Sequence, residues 1–294
     1  MSRNKIYPLS KSPLYRLRNR KKLAKLLFLR ERYFYEKHNY KYKQKSIPKS
    51  DGSERILEIP DYELKKIQAR IHTLLQRIET PYWLKSGKKG ESHITNAMLH
   101  LDSNHVRTMD ISRFYDSVSR NRVYHMFRDL FLMEDDIATI MTNLVMHGNV
   151  LPTGAPSSQL IAYWAYQDMF SEINEYAIEN NYNKFSLYVD DMTFSSENSI
   201  SYEFREHIAA ILKKNGLYAK RQKDKQYGPK AFKIVTGCGI KNGRMRLQNK
   251  RRKEIIELYN QCSKYPCDIT VKRLRGKLIA ARQEEPDLLP TFKV

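Results

Sequence analysis

The pattern of apolar and polar residues predicts a chain that mixes helices with short strands. Ile67, Ile71, Leu74 and Ile78 recur three to four residues apart, so they would share one face of a helix that begins just after Pro60. The same spacing predicts helices at 14–36, 119–132, 134–147, about 157–180 and 201–215, and two more within 249–284. Helical patterns therefore occupy both ends of the chain as well as its middle.

Short β-prone runs alternate with these helices and end at turn signals. They are predicted at 46–60, 106–112, 186–189 and 192–195. The pairs Asp51-Gly52 and Asn242-Gly243 are typical of tight hairpin turns. Strands and helices in this mixture predict an α+β fold with an antiparallel sheet and a helical, basic C-terminal piece.

Positive charge is concentrated at the two ends of the chain. Residues 1–50 hold 16 Lys and Arg against 2 Asp and Glu, a net +14, and residues 238–294 hold 14 against 6, a net +8. The middle, 51–237, has 23 against 24, a net −1. Such ends favour a nucleic-acid partner, and the aromatics interleaved with lysines in 33–45 could stack on bases. A merely solvated surface and an anionic membrane are the alternatives.

Composition narrows the classes of protein that remain. The 294 residues, 41% of them hydrophobic, are enough for a sizeable core. No apolar run approaches the roughly 20 residues of a membrane span, and the basic N-terminus lacks the apolar stretch of a secretory signal. Cys238, Cys262 and Cys267 are not spaced as a metal site and suit a reducing compartment. We therefore expect a cytoplasmic protein without a membrane partner.

Two adjacent aspartates, Asp190 and Asp191, close an apolar run, although strands disfavour this residue type. Asp110 ends a second short strand in the same way. Three carboxylates that converge repel one another unless divalent cations neutralise them. Two such cations, roughly 3.5–4 Å apart, activate a hydroxyl and stabilise the leaving oxygen in phosphoryl transfer. For the adjacent pair alone, an ordinary exposed turn is the alternative.

Five short motifs, in this order along the chain, resemble those of reverse transcriptases. They are "NAMLH" (96–100), "MDISRFYDSV" (109–118), "LPTGAPSSQLIAYWA" (151–165), "YVDD" (188–191) and "VTG" (235–237). The first and the last match the NAxxH and VTG signatures of the retron type of this family. Each motif is weak alone, but five in the family's order are specific, and the resemblance covers about residues 45–240.

The resemblance implies a right-hand polymerase fold with fingers, palm and thumb. It divides the chain into a basic helical N-terminal extension (1–44), fingers and palm (45–237) and a basic thumb (238–294). In this family the three acids bind two Mg²⁺ ions. The resemblance thus assigns that role to Asp110, Asp190 and Asp191, with the carbonyl of Ile111 as a further ligand.

The resemblance also implies residues that bind the incoming deoxynucleotide. These are Lys49, Arg55, Tyr115, Gly154, Ala155 and Lys223. Arg55 and Lys49 would grip the triphosphate, the ring of Tyr115 would exclude a 2′-hydroxyl, and Lys223 would protonate pyrophosphate. An ordinary solvated hairpin, a packed aromatic residue and a surface lysine are the respective alternatives.

A third set would contact RNA or the primer. Its members are Asn96, His100, Tyr188, Val189, Val235, Thr236 and Gly237. Asn96 and His100 are four residues apart and would share a helix face. For both, a structural role in the core is the alternative, and the segment 235–237 could simply turn a strand.

The chain departs from the family's motifs at several positions, none of them a metal ligand. Thr153 stands where Gln is common, Gln159 where Pro is usual and Val189 where retrons often have Ala. Lys220 and Asp224 replace the Asn and Thr that flank the matched lysine. We therefore expect an active site with altered template contacts.

The resemblance implies an RNA-directed DNA polymerase of a retron. Such an enzyme copies a cognate structured non-coding RNA, which serves as template and primer, into branched multicopy single-stranded DNA (msDNA). It consumes dNTPs and acts in anti-phage defence, usually with a separate effector protein. Another bacterial reverse transcriptase, of the group II intron, diversity-generating or abortive-infection type, is one alternative. A catalytically silent RNA-binding scaffold is the other.

Overall fold

The computed structural model describes residues 6–36, 40–48, 52, 54–265, 267–290 and 292, and it combines helices with antiparallel sheets as predicted. The strands are β1 (Tyr42–Pro48), β2 (Glu54–Pro60), β3 (His105–Asp110), β4 (Lys184–Tyr188), β5 (Asp191–Ser196), β6 (Lys225–Tyr227), β7 (Lys233–Val235), β8 (Cys238–Lys241) and β9 (Arg244–Arg246). The α-helices are α1 (Arg20–Leu27), α2 (Tyr62–Leu75), α3 (His93–Met98), α4 (Phe114–Ser117), α5 (Arg120–His125), α6 (Asp135–Val145), α7 (Ser158–Ala165), α8 (Gln167–Glu179), α9 (Tyr202–Lys214), α10 (Asn249–Lys264) and α11 (Asp268–Arg282).

A four-stranded antiparallel sheet in the order β4–β5–β3–β6 forms the centre of the fold. Phe185 of β4 lies opposite Phe194 of β5, and their rings stack with centroids 5.0 Å apart. Phe194 also meets Phe204 of α9 edge to face at 5.1 Å. All three rings are buried, so they fasten α9 to one face of this sheet.

The predicted helix over 14–36 is shorter in the structure. Asn19 caps α1 by accepting a hydrogen bond from the amide of Lys22, and Phe28 ends it in the left-handed region at φ 59°. Arg16 is also left-handed, at φ 52°. The segment before α1 nevertheless joins the main core through Leu14, so the predicted extension packs against the rest of the molecule.

The long helix predicted from 157 to about 180 is two helices. The chain leaves helical geometry at Tyr166, with φ −127° and ψ 21°, between α7 and α8. The hydroxyl of Tyr166 donates to the carbonyl of Ser117 at 3.2 Å, and the guanidinium of Arg122 lies 4.4 Å above its ring. These contacts hold Tyr166 across the helix break, which its hydrophobic pattern does not reveal.

The hairpin of β1 and β2 contacts the loop before α7 directly. Thr153 donates through its hydroxyl to the carbonyl of Ile56 at 3.1 Å and accepts from the amide of Glu58 at 3.4 Å. The amide of Gly154 donates to the Glu58 carbonyl at 3.2 Å. Thr153, a departure from the family's Gln, thus fastens this hairpin to the loop.

The C-terminal part has its own small core. Ile255 and Leu258 of α10 pack with Leu274 and Leu278 of α11, apart from the main cluster. It is preceded by the three-stranded sheet β7–β8–β9. Because β7 and β8 pair with each other, the predicted boundary between 237 and 238 falls within a hairpin.

The predicted turn at Asn242-Gly243 is confirmed. It joins β8 to β9, and both residues have positive φ, 51° and 66°, as a tight hairpin turn requires.

Among the described residues, no helix combines the length and the apolar character needed to cross a bilayer.

We expect Gly154→Ala to weaken the contact between the loop and β2. The added Cβ would lie 2.6 Å from the Glu58 carbonyl oxygen and 3.0 Å from Cγ1 of Ile59, so one of the two segments must move. Overpacking of this kind costs about 1–3 kcal/mol, which thermal or urea unfolding would measure. Gly228→Ala is the matched control, because nothing lies within 4 Å of its Cβ position; an equal loss in both variants would contradict this prediction.

Candidate active site

Strand pairing brings the predicted acids to one end of the central sheet. Asp110 is the last residue of β3 and lies directly opposite Asp191, the first residue of β5. Residues opposite each other in an antiparallel pair have Cβ atoms about 4.5–5.5 Å apart. Asp110 is almost completely buried at 4% exposure.

Asp190 lies in the tight turn between β4 and β5. Tyr188 pairs with Asp191, which leaves Val189 and Asp190 as the two turn residues. Val189 has φ 61°, a left-handed conformation that is strained for a β-branched residue. Its amide donates to the hydroxyl of Ser86 at 3.0 Å, which supports the turn. Sequence reasoning missed Ser86, because it lies in a stretch that reads only as a loop.

Backbone bonds fix the third side of the acid cluster. The amide of Ile111 donates to the carbonyl of Asp190 at 3.0 Å. Ile111 also lies opposite Ala219 in an antiparallel bridge. In this bridge the amide of Lys220 donates a hydrogen bond to the carbonyl of Asp110 at 2.7 Å. Ile111 thus meets the Asp190 turn through its amide, and the role of its carbonyl as a metal ligand stays a prediction. Lys220 acts here through its amide, so the departure from Asn at this position does not disturb the bond.

The charges of the acids are costly where they lie. Burial is the main reason that the pKa of Asp191 is raised to about 7, and the charges of Asp190 and Asp110 add to it. The pKa of Asp190 is raised by burial first and by Asp110 second. Three repelling, poorly solvated carboxyl groups form a site that gains free energy from a cation.

Lys223 supplies one positive charge to this cluster. Its ammonium group donates to Oδ2 of Asp110, while its own side chain is 49% exposed. Burial is the largest single influence and opposes the charged form of Lys223. The hydrogen bond to Asp110 and the charges of the three acids together outweigh it, so the pKa of Lys223 is raised. Lys223 therefore reaches the acids from the solvent side.

The donor set of the cluster fits divalent cations. Its oxygens are those that hard cations prefer, and their mutual repulsion is the cost that a cation removes. Among the residues that the structure describes, no three acid, histidine or cysteine side chains are already arranged around a common metal position. The lysine ammonium at Asp110 compensates part of the negative charge instead.

Two of the predicted nucleotide-binding residues lie beside the acids. Tyr115 is half-buried, and its pKa is raised by desolvation first and by the charge of Asp190 second, while Arg55 opposes the shift. Arg55 also stabilises the charged form of Asp190. The carbonyl of Tyr115 accepts from the amide of Leu151 at 3.3 Å, which connects it to the loop before α7. Lys49 lies outside the described residues.

Gly154 and Ala155 lie differently from the prediction. The backbone of Gly154 does approach another group closely, but that group is the Glu58 carbonyl of β2. Ala155 is only 8% exposed. The small size of these two residues therefore lets the loop before α7 pack against the β1–β2 hairpin.

The side chains of Asn96 and His100 present no surface to RNA, because both are fully buried. His100 bridges Ser195 and Ser186 through its two ring nitrogens, at 2.6 and 2.8 Å. Burial lowers its pKa to about 3, so the ring is neutral. His100 thus connects the segment after α3 to β4 and β5. Its ring has this structural role in the core, and it does not present a surface for the RNA contact that the sequence predicted.

Asn96 connects the two signature motifs to each other. Its side-chain amide donates to the hydroxyl of Thr236 at 3.3 Å, and that hydroxyl donates to the carbonyl of His93 at 2.9 Å. Thr236 and Gly237 have positive φ, 44° and 83°, and form the turn between β7 and β8. Val235 is fully buried, so of this motif only Gly237 is well exposed.

We expect the stability of the metal-free protein to fall as the pH rises from about 4 to about 7. The pKa of Asp191 is about 7 in the fold against an ordinary 3.8, so the unfolded chain loses its proton first and is favoured. A divalent cation that binds only the folded state should therefore raise Tm more at about pH 8 than at about pH 5. Thermal unfolding with MgCl₂ or EDTA measures this, and Asp191→Asn should reduce the difference, because only Asp190 then keeps a raised pKa. Equal cation effects at both pH values would contradict the prediction.

Comparisons with known proteins agree with this geometry. The family model described as reverse transcriptase (RNA-dependent DNA polymerase) matches residues 47–238. The retron Se72 reverse transcriptase of Salmonella heidelberg (strain 579083-10) is 28% identical over 77% of this chain and 61% of its own length. The retron Ec86 reverse transcriptase of Escherichia coli is 25% identical over 74% and 68%. The chain thus spans about three fifths of the first relative, and the predicted resemblance to retron-type enzymes is confirmed.

A solved structure shows the same fold at low identity. The telomerase of Candida albicans, in complex with a TWJ fragment of telomeric RNA, superimposes with a TM-score of 0.52 at 12% identity, over 88% of this chain and 56% of that one. The predicted right-hand polymerase fold is confirmed, and domains of this kind use divalent metal ions. With a family match over most of its length and acids that meet at the end of the central sheet, the chain belongs to the reverse transcriptase family.

Proposed function

We propose that this chain is an RNA-directed DNA polymerase of the retron type. The observation that carries the proposal is the convergence of Asp110, Asp190 and Asp191 at one end of a sheet, in a member of the reverse transcriptase family. The reaction would extend a primer by attack of its hydroxyl on the α-phosphate of a dNTP, with release of pyrophosphate. Retron relatives at 25–28% identity favour the retron type.

The acids would hold two Mg²⁺ ions. When bound, these ions supply charge neutralisation and Lewis-acid activation for phosphoryl transfer. Asp110 and Asp191 would contribute carboxylates from paired strands, Asp190 would contribute one from the turn, and the carbonyl of Ile111 would add a further ligand. The rigid backbone bonds around them keep the carboxylates in place before substrate arrives, as electrostatic catalysis requires.

The residues around the acids would position the nucleotide. Arg55 would present a forked cation to the triphosphate. Lys49 would add a second cation, as the resemblance implies. The charge of Asp190 acts on the hydroxyl of Tyr115, and the Tyr115 ring would exclude a 2′-hydroxyl. Lys223 carries a proton next to Asp110 and would give it to pyrophosphate.

The partner would be a structured non-coding RNA that is both template and primer. Synthesis would start at a 2′-hydroxyl of that RNA and yield branched msDNA. The strongly basic ends, net +14 and +8, support an extended contact with such an RNA. Action in anti-phage defence with a separate effector protein, in the bacterial cytoplasm, completes the proposal and rests on the retron relatives.

A catalytically silent RNA-binding scaffold is the competing function. The complete acid trio argues against it, because a scaffold gains nothing from three repelling carboxylates, one of them buried and two half-buried. Reverse transcriptases of the group II intron, diversity-generating or abortive-infection types would share the same chemistry. Sequencing the nucleic acid that co-purifies with the protein separates these from a retron, which would retain one defined structured RNA.

Asp190→Asn should abolish DNA synthesis on a primed RNA template with dNTPs and MgCl₂. The amide keeps the size of the side chain but removes the charge that holds the cation, and a loss of at least about 10²–10³-fold is expected. Incorporation of labelled dNTP measures it, with Asp102→Asn, an exposed acid on a loop, as the matched control. Unchanged incorporation in Asp190→Asn would refute the site.

Tyr115→Ala should weaken the choice of deoxynucleotides over ribonucleotides. Removing the ring opens space for a 2′-hydroxyl, so the ratio of kcat/KM for dNTP to that for NTP should fall by roughly 10–100-fold. Single-nucleotide extension with each substrate measures the ratio. Tyr62→Ala, which truncates an exposed ring on α2, is the control and should keep the ratio of the unaltered protein. An unchanged ratio in Tyr115→Ala would show that the Tyr115 ring does not exclude the 2′-hydroxyl.

A further inference from the structure

A buried cluster of charges lies beside the proposed active site and outside its acid trio. Asp224 accepts two hydrogen bonds from Arg107 of β3, at 3.0 and 3.2 Å, and one from Arg205 of α9 at 2.6 Å. Arg107 also donates to Gln226 of β6 at 2.6 Å. The three charged side chains are only 9–10% exposed, so little water competes for these bonds.

The cluster joins three elements at one point. Arg107 lies in β3, three residues before Asp110, Arg205 lies in α9, and Asp224 lies between a 3₁₀ turn (Arg221–Lys223) and β6. The turn is held from its other end, because the amide of Lys220 donates to the Asp110 carbonyl at 2.7 Å. The segment that carries Lys223 is thus fixed on both sides.

A contribution to stability alone is a weak explanation of this arrangement. Burying an ion pair costs about as much desolvation as the attraction returns, so apolar residues would pack as well. Asp224 meets a planar guanidinium through both carboxylate oxygens, which fixes direction as well as distance. Such geometry is what a residue needs if it must orient its neighbour, and that neighbour is Lys223.

We infer that Asp224, clamped by Arg107 and Arg205, is a positioning residue that holds the Lys223 ammonium at Asp110. This inference rests on the proposed polymerase function for its kinetic consequence only. The carboxylate of Asp224 bonds to Arg107 and Arg205 rather than to the acid trio, so Asp224 acts through the backbone of the preceding residue, Lys223. It stands where the family has Thr, so in this chain an ionic clamp orients the lysine.

A double-mutant cycle on DNA synthesis tests the inference. Lys223→Ala should lower kcat by about 10²-fold, and Asp224→Asn by about 10-fold or more with the KM for dNTP unchanged. If Asp224 acts through Lys223, the double variant should be no slower than Lys223→Ala alone. Losses that multiply would mean that Asp224 does not act through the lysine, and would overturn the inference.

Glu284→Gln provides the matched control. It removes the charge of another buried carboxylate, which pairs with the half-exposed Arg251 of α10, and should lower Tm by a comparable amount. Its effect on kcat should multiply with that of Lys223→Ala. Should Asp224→Asn fail to fold, Arg205→Gln, which removes one arm of the clamp, takes its place with the same expected outcome.

A second readout does not depend on polymerase activity. Acetylation of Lys223 by acetic anhydride, followed by mass spectrometry, should be several-fold faster in Asp224→Asn than in the unaltered protein, because the ammonium group is released from Asp110. Lys214, which is 74% exposed, is the internal reference. If Lys223 were labelled at the same rate in Asp224→Asn and in the unaltered protein, the inference about Asp224 would be overturned, even if the enzyme is active. If labelling were faster in Asp224→Asn but the unaltered protein made no DNA, only the proposed function would be refuted.

Discussion

The mutual repulsion of three carboxyl groups at one end of the central sheet is the constraint on which the rest of this structure depends. Asp110 and Asp191 face each other across two paired strands, and the turn holds Asp190 beside them. Burial makes their charges costly, as the raised pKa values of Asp190 and Asp191 record. The surrounding hydrogen bonds therefore have to hold the three carboxyl groups together against their electrostatic repulsion, and the ammonium group of Lys223 offsets only part of that repulsion.

The supports of this end of the sheet come from elements that are remote in sequence. Ser86 holds the amide of Val189 and thereby a strained turn, and the amides of Ile111 and Lys220 hold the backbone on the other side. The β1–β2 hairpin, which carries Arg55, is held to the loop before α7 by Thr153. The candidate active site is thus defined less by the acids than by the rigid backbone beneath them.

The sequence predicted the features that follow from local rules, and it failed where tertiary contacts decide. Convergence of the acids was predictable, because a tight hairpin and an antiparallel neighbour leave few other places for Asp190 and Asp191. The breaks at Phe28 and Tyr166 were not, since the hydrophobic spacing continues across them. Nor could the pairing of Arg107 with Asp224 be found, because 117 residues separate them and each alone is an ordinary charged residue.

The hydrogen bond from Asn96 to Thr236 has a consequence for how such proteins can change. It joins α3, which His100 pins to the central sheet, to the hairpin that leads into the C-terminal helices. The NAxxH motif (96–100) and the VTG motif (235–237) therefore form one contact between α3 and the β7–β8 hairpin rather than two independent sites. Chimaeras that exchange C-terminal segments between relatives should carry both motifs from one parent, because a mismatched contact leaves a buried amide without its partner.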